Sequence, residues 1–312
     1  MLGQVVTTWS DPAIRSFYYI VFATLAFVAA GLGAMSLFPA TRDKARPMWV
    51  PYAAWFIMAP VMMVAVLLGK EVFTLVALAL SLVATTEFAR ATGAHRNWPF
   101  MAAIYVADLA LFAVGYLGLY SVYVSLPIFF TLIILVVPVL EDRYEGMLQQ
   151  IALSVLMLLY LGWFPGHLAL MERFGRWYVY VAFLVVGTVL NDASAFVIGK
   201  LIGKRKVIPT ISPNKTVGGL FGALVVDIVF VWASRGALPG FTPLMLVLSV
   251  LIFWVGGTMG DLVASVSKRD IGIKDFGKWI PGHGGLLDRM DSLMLTGPLM
   301  YHLLHNFLRV HG

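Results

Sequence analysis

The sequence predicts an all-α polytopic membrane protein, a helical bundle with about ten transmembrane helices. Apolar residues make up 60% of the 312 residues and charged residues only 12%, whereas a typical soluble domain has about 25% charged residues. The mean hydropathy is +0.88. Several apolar runs reach the roughly 20 residues that a helix needs to cross a bilayer. A soluble, disordered or coiled-coil chain is therefore excluded.

Ten spans are predicted along the chain. The first is too long for a signal peptide, has no basic segment before it and shows no small-residue cleavage site. The last is the weakest, and an interfacial helix is its alternative, because it is interrupted by Asp291, His302, His305 and Asn306. The spans lie near residues 16–39, 49–69, 72–89, 99–117, 124–140, 149–165, 177–199, 217–234, 241–260 and 291–309.

The distribution of basic residues predicts which loops face the cytoplasm, because Lys and Arg collect in cytoplasmic loops. With the N-terminus outside and the chain alternating, 16 of the 22 Lys and Arg fall in inside loops. This orientation places the polar loops on the cytoplasmic side, and the compact loops without targeting features favour a bacterial inner membrane. The net charge of +6 then reflects loop topology and anionic lipid rather than nucleic acid.

The two parts of the chain differ in character. Residues 1–175 consist of apolar spans with short loops, and we predict a scaffold of lipid-facing helices there. Residues 176–312 form the predicted catalytic region with cytoplasmic motif loops, since nearly all clustered charge and glycine lie within 190–292. Cysteine is absent, which excludes disulfides, thiol chemistry and zinc–thiolate sites.

Several carboxylates lie within or at the ends of predicted spans, where an ionisable group is costly and usually functional. Asp192 lies late in the seventh span and Asp261 at the end of the ninth, and each opens directly into a basic loop. We therefore predict functional roles for both. Asp108 and Asp227 have no motif around them, and we interpret each as a buried carboxylate satisfied by a neighbouring helix.

A glycine-rich basic segment follows the seventh span, with GKLIGKRK at 199–206 and ISPNKTVGG at 211–219. Glycine lets backbone N–H groups approach phosphate oxygens, and a helix start adds a favourable dipole. Lys215 and Thr216 stand at such a predicted start. The segment lacks the Walker A spacing, and by itself it fits a glycine-rich turn with cytoplasmic lysines at least as well.

A second polar loop follows the ninth span and is richer in chemistry. It contains GDLVASVSKR at 260–269, PGHGG at 281–285 and DRMDS at 288–292. Asp288 and Asp291 are three residues apart, so on a helix they share a face. Carboxylate oxygens suit Mg²⁺, which proteins hold with one or two carboxylates plus substrate phosphates. A salt-bridged loop is the alternative, but it does not explain PGHGG shortly before an Asp-x-x-Asp.

Residues 265–291 resemble the signature of the phosphatidate cytidylyltransferases, also called CDP-diacylglycerol synthases. That signature runs Ser-x-apolar-Lys-Arg, four residues, Lys-Asp, a small residue, Pro-x-His-Gly-Gly and Asp-Arg-apolar-Asp. Ser267 departs from it where an apolar residue is usual, and upstream Gly218 stands where a glutamate is common. We expect mild effects, because the signature is otherwise intact. The resemblance covers residues 185–300 in detail.

The resemblance implies that CTP and phosphatidate react to give CDP-diacylglycerol and pyrophosphate. It implies Mg²⁺ as the cofactor and leaves a second cation open. It implies a metal centre that uses Asp261 and Asp288, with Asp291 and Asp192 as weaker candidates. The catalytic residues implied are Asp261, Asp288, Lys215, Lys268, Arg269 and His283. The substrate-binding residues implied are Lys200, Lys204, Ser212, Asn214, Lys215, Thr216, Gly219 and Arg289. For His283, a satisfied structural histidine is the alternative.

The expected partners are CTP, phosphatidate and membrane lipid, without nucleic acid, and a homodimer is left open. Two other functions remain as alternatives. A CTP-dependent lipid or polyprenol kinase shares pieces of this pattern, although the full signature argues against it. A transporter of an anionic solute could use Asp108, Asp192 and Asp227 in a proton path, but transporters place such groups in two related halves, and no internal repeat is visible.

Overall fold

The computed structural model describes residues 5, 8–277 and 284–308. Ten long helices run through this part of the chain, and the connection between the seventh and the eighth contains a hairpin. In chain order they are α1 (Pro12–Leu37), α2 (Pro39–Leu68), α3 (Lys70–Thr92), α4 (Trp98–Tyr116), α5 (Tyr120–Leu140), α6 (Met147–Arg173), α7 (Trp177–Ile202), β1 (Lys206–Ile208), β2 (Ser212–Thr216), α8 (Val217–Ser234), α9 (Pro243–Asp270) and α10 (Leu287–Phe307).

The predicted fold class is confirmed, since a helix occupies each of the ten predicted spans. Eight of these helices are long and apolar enough to cross a membrane by length and composition, and they are all except α2 and α10. Many of their large apolar side chains are exposed at the periphery, such as Leu132 and Val229. This pattern is expected of helices that face lipid rather than water.

Helix α10 lies inside the bundle rather than along its surface. Met294, Thr296, Tyr301 and Leu304 are fully buried on it, spread over three turns. An interfacial helix would keep one face exposed, so this alternative for the last span is wrong. Of the polar residues that weakened the span in the sequence, Asp291 is buried and His302 and His305 pack against the rings of His167 and Tyr120, which hydropathy alone does not register. Asn306 is exposed.

The glycine-rich segment after α7 folds into a short antiparallel hairpin instead of an irregular loop. Strand β1 pairs with β2, with Lys206 opposite Thr216 and Ile208 opposite Ser212. Thr216 ends β2 and caps α8, because its Oγ1 accepts a hydrogen bond from the Gly219 N–H at 3.1 Å. The hairpin therefore fixes where α8 begins.

Two helices contain a π-helical segment, which in α-helices is frequent at functional positions. In α6 it spans Leu158–Trp163 and in α9 it spans Ile252–Gly257. The second lies one turn before Asp261. The two helices also contact each other near these segments, since the Tyr160 hydroxyl donates to the Gly260 carbonyl oxygen at 3.4 Å.

The apolar core joins the two predicted parts of the chain. Its larger cluster contains Phe17 and Phe112 from the first part and Phe183 and Tyr301 from the second. Asp11 adds a polar link, because its carboxylate accepts a hydrogen bond from Arg176 Nε at 2.9 Å. Burial alone would raise the pKa of Asp11, but the hydrogen bonds from Arg176, the Ala13 N–H and Tyr178 outweigh it and lower that pKa. The division at residue 175 stays a prediction about function.

Candidate active site

The candidate site lies where five helix ends meet at one end of the bundle. The chain alternates direction, so the ends of α3, α7 and α9 lie on the same side as the starts of α8 and α10. This is the side that the basic loops predict to be cytoplasmic. The charged side chains of the site come from these five ends and from the hairpin between α7 and α8, although they are far apart in the sequence.

Three carboxylates gather at the centre of this region. Asp192 on α7, Asp261 on α9 and Asp291 on α10 lie close enough to repel one another electrostatically. Ser292 helps to hold two of them, because its hydroxyl donates to Asp192 Oδ1 at 3.0 Å and its backbone N–H donates to Asp291 Oδ1 at 2.8 Å. A cluster of like charges at a helix interface is costly unless a cation balances it.

Lys215 supplies one positive charge to this cluster. Its Nζ lies 2.9 Å from Asp261 Oδ2 and donates to the Thr258 carbonyl oxygen at 3.1 Å. These contacts use two of the three N–H donors of the ammonium group. The Lys215 side chain is 19% exposed and that of Asp261 is 33% exposed, so the pair is accessible at this end of the bundle.

Lys268 and Asp288 form a second, more buried ion pair. Lys268 Nζ lies 2.7 Å from Asp288 Oδ1, and the side chains are only 10% and 5% exposed. Asp288 Oδ2 accepts hydrogen bonds from the backbone N–H groups of Phe276 and Gly285, both at 2.9 Å. Asp288 thus joins α9, the start of α10 and the polypeptide on both sides of residues 278–283.

The predicted metal ligands therefore have different surroundings. Asp261 lies with Asp192 and Asp291, whereas Asp288 is held by Lys268 and two backbone N–H groups. Within the described ranges, no three His, Asp or Glu side chains form a ready-made metal site. The donor set nevertheless fits Mg²⁺, because this ion needs only one or two protein carboxylates when phosphates and water complete its shell.

Most of the predicted phosphate-binding residues lie on or beside the hairpin. Lys200 and Lys204 are exposed, and Lys200 Nζ stands 4.2 Å from the centre of the Phe196 ring. Ser212 is half-buried and Asn214 is exposed, both on β2. Lys200, Lys204, Ser212 and Asn214 make no direct contact with the three central carboxylates that the structure describes. Their roles toward substrate stay predictions.

Two predicted basic residues have defined partners. Arg269 donates from Nε to the Ile211 carbonyl oxygen at 3.2 Å and from a terminal nitrogen to the Ile273 carbonyl oxygen at 3.3 Å. It therefore ties the end of α9 to the hairpin. Arg289 on α10 interacts electrostatically with Asp192. Arg289 thus belongs to the central cluster, while Arg269 lies at its edge. The predicted residue His283 lies outside the described residues.

The profile of the cytidylyltransferase family matches residues 49–307, which is most of the chain. The chain belongs to the cytidylyltransferase family. The match includes α3 as well as the helices that carry the signature, so the family extends well beyond the region that the sequence motifs covered.

Curated relatives agree with this assignment. The chain is 40% identical over 141 residues to the phosphatidate cytidylyltransferase of Bacillus subtilis (strain 168), covering 44% of this chain and 51% of the relative. It is 45% identical over 134 residues to that of Staphylococcus haemolyticus (strain JCSC1435), covering 42% and 50%. The uncharacterized protein YnbB of Escherichia coli (strain K12) is 42% identical over 124 residues, covering 40% and 42%. The chain thus spans about half the length of the curated relatives it matches.

The glycines of this family member allow α7, the hairpin and α8 to approach closely. A Cβ atom on Gly219 would collide with the Ala195 carbonyl oxygen and lie 3.0 Å from Gly199 Cα, and one on Gly203 would collide with Thr216 Oγ1. Gly218, which stands where the family commonly has glutamate, faces the Gly203 backbone, with 3.3 Å from a Cβ to its Cα. Of these glycines only Gly219 was predicted to bind substrate, and their packing role was not predicted from the sequence.

This packing role predicts a large loss of stability for Gly219→Ala. The added methyl group meets backbone atoms that cannot move without separating α7 from α8, and such overpacking costs about 1–3 kcal/mol. Gly236→Ala is the control, because a Cβ there meets nothing within 4 Å. Thermal unfolding in detergent should show a clear decrease for the first variant and little change for the second. Equal melting temperatures would contradict the close packing.

Of the two aspartates that have no motif around them, Asp227 lies next to the candidate site, because it interacts electrostatically with Asp192. Asp108 on α4 accepts a hydrogen bond from the Thr85 hydroxyl at 3.1 Å, and Asp227 on α8 accepts one from Asn191 Nδ2 at 2.8 Å. Both aspartates are fully buried. Each is bound by a neighbouring helix, as interpreted from the sequence, although one oxygen of each lacks a protein partner in the described part of the chain.

One charged residue of the candidate site, Glu87, was not predicted from the sequence. Glu87 on α3 is 2% exposed, and its carboxylate accepts hydrogen bonds from the backbone N–H groups of Leu286 and Leu287 at 3.0 and 2.9 Å. It lies in the part of the chain that was interpreted as scaffold. A glutamate near the end of an apolar span was the signal that could have found it, since buried acidic residues in spans are rare.

Proposed function

We propose that this cytidylyltransferase transfers CMP from CTP to phosphatidate, giving CDP-diacylglycerol and pyrophosphate at the cytoplasmic face of a bacterial cell membrane. The family supports transfer of a cytidylyl group, and the names of the relatives from Bacillus and Staphylococcus support phosphatidate as the acceptor. The observation that carries the proposal is the cluster of Asp192, Asp261 and Asp291 beside Lys215, because it combines an Mg²⁺-binding donor set with a phosphate-binding cation.

The chemistry needs positioning and charge neutralisation more than a base. A phosphate monoester carries about −1.5 to −2 charges at neutral pH, so an oxygen of phosphatidate is already a nucleophile. That oxygen forms a bond to the α-phosphorus of CTP, the bond between the α- and β-phosphates breaks, and pyrophosphate leaves with the electron pair. The obstacle is the approach of two anions in line, which preorganised cations reduce.

The charged residues divide this task. Asp261, with Asp192 and Asp291 beside it, would hold Mg²⁺, which when bound neutralises phosphate charge and polarises the phosphorus–oxygen bonds. Lys215 has an N–H donor left for a phosphate oxygen after its bonds to Asp261 and Thr258. Lys268 and Asp288 fix the start of α10 beside this centre, so Asp288 contributes by position as well as by charge.

The location of the cluster suits a lipid and a soluble nucleotide together. Phosphatidate keeps its acyl chains in the bilayer, because each buried CH₂ group is worth about 0.8 kcal/mol. CTP arrives from water. A site at the aqueous end of membrane-spanning helices, partly exposed at Lys215 and Asp261, can receive both.

Two labelled forms of CTP test this function directly. The purified protein in detergent with phosphatidate and Mg²⁺ should incorporate label from α-³²P-CTP into lipid and release label from γ-³²P-CTP as pyrophosphate. Transfer of the γ label into lipid would instead identify a CTP-dependent kinase. Absence of any lipid label from folded protein would contradict both enzymes and leave the transporter alternative. Omission of Mg²⁺ should abolish incorporation.

A pair of lysines on the hairpin gives a graded prediction. Lys215→Ala should lower kcat/KM for CTP by about 10²-fold or more, because it removes a cation next to the central carboxylates. Lys206→Ala should change it little, since Lys206 is exposed at the start of β1. The measurement is the initial rate of lipid labelling at varied CTP. Equal losses, or a larger loss for Lys206→Ala, would contradict the assignment of Lys215.

A further inference from the structure

Glu87 fills a gap in the capping of α10. The N-cap residue of α10 is Leu286, whose side chain cannot accept a hydrogen bond. The first backbone N–H groups of a helix have no partner within it and need an acceptor from elsewhere. Both oxygens of the Glu87 carboxylate are used for this purpose, one for Leu286 and one for Leu287. A residue of α3 thus caps a helix that begins 200 positions later in the chain.

The fit around this carboxylate is close. A Cβ atom on Gly285 would lie 2.5 Å from Glu87 Oε2, and a Cβ atom on Gly277 would collide with Oε1. The neighbouring residue of α3, Phe88, packs on Phe276 with ring centres 5.5 Å apart. Glycine at 277 and 285 is therefore required for the backbone to reach Glu87, and the end of α3 contacts the chain on both sides of residues 278–283.

The same backbone segments hold Asp288. Its Oδ2 accepts from the N–H groups of Phe276 and Gly285, which are adjacent to Gly277 and Leu286 in the chain. Glu87 lies close enough to Asp288 for the two carboxylates to repel each other. A negative charge at the start of α10 is favourable to the helix dipole, while Lys268 balances Asp288. Displacing Glu87 would therefore move the backbone that sets the position of Asp288 and, one turn later, Asp291.

We propose that Glu87 is a positioning residue for the reaction, holding the start of α10 so that Asp288 and Asp291 face the substrate phosphates in a fixed geometry. It contacts no reacting group itself. The proposal rests on the proposed function for its kinetic consequences, but its structural consequence can be measured without turnover. It gives the first part of the chain a catalytic contribution, where the sequence predicted only a scaffold.

The test uses Glu87→Gln, with Glu71→Gln as the matched control on the same helix. Glutamine keeps one acceptor oxygen but presents an NH₂ group to the second backbone N–H. We expect kcat for CDP-diacylglycerol formation to fall about 10- to 100-fold, the usual cost of losing an outer-shell partner of a metal ligand, with a much smaller change in KM for CTP. Glu71 is exposed in the first turn of α3, and its variant should match the wild type.

Hydrogen exchange of peptides covering residues 284–291 supplies the second readout. We expect faster exchange in Glu87→Gln and unchanged exchange in Glu71→Gln. Unchanged exchange together with wild-type kcat would overturn the proposal, as would a rate loss explained entirely by less folded protein. If wild-type protein makes no CDP-diacylglycerol, the proposed function fails, whereas faster exchange in the variant still supports the link from Glu87 to α10. Glu87→Asp should restore part of the protection, since it keeps the carboxylate.

Discussion

Asp261→Asn should abolish cytidylyl transfer while the bundle remains folded. The substitution removes the carboxylate that lies beside Asp192, Asp291 and Lys215, and with it the charge that would hold Mg²⁺. Loss of one preorganised electrostatic group commonly costs about 10²- to 10³-fold in rate, and we expect at least this much. Stability should not fall, because one of three repelling carboxylates is neutralised and the lost ion pair with Lys215 is partly exposed and worth little.

The measurement pairs lipid labelling with thermal unfolding in detergent. Asp270→Asn is the control, because Asp270 is exposed at the last position of α9 and should behave as the wild type in both assays. Near-wild-type turnover of Asp261→Asn with magnesium as the divalent ion would contradict the metal assignment. A large drop in melting temperature would contradict the repulsion within the cluster.

Asp288→Asn should be inactive because the start of α10 loses the contacts that fix its position, and the variant should also be unstable. Asparagine offers one acceptor oxygen in place of two, so its NH₂ group would face Lys268 or the N–H donors of Phe276 and Gly285. Lys268 would remain buried without its partner. Breaking one member of a buried pair costs about 3–5 kcal/mol, which should appear as a much lower melting temperature than that of Asp261→Asn.

A double variant separates the two roles of this pair. Replacing a buried ion pair by apolar residues is often neutral for stability, so Lys268→Met with Asp288→Leu should recover much of the lost thermal stability. Its activity should stay absent, because α10 still lacks the Asp288 carboxylate. Recovery of turnover in the double variant would show that Asp288 serves only the fold, and the positioning role assigned to it would then be wrong.

The sequence determined the fold class, the number of helices and the half of the chain that carries most of the site. Hydropathy predicts spans because a bilayer requires about 20 apolar residues per helix, and each predicted span contains a helix. The signature between 265 and 291 predicted the family that the profile match then confirmed. Lys268 and Asp288 of this signature lie on consecutive helices and form an ion pair with each other.

Only the tertiary structure decided which charges act together. Asp261 lies with Asp192 and Asp291, while Asp288 lies with Lys268 and near Glu87. The hairpin glycines turned out to serve close packing of helices, and α10 turned out to be buried. These contacts join residues up to 200 positions apart, and they depend on how helix ends meet in space. A hydropathy pattern records whether a residue prefers lipid or water, but it does not contain the direction of a side chain or the identity of its partner.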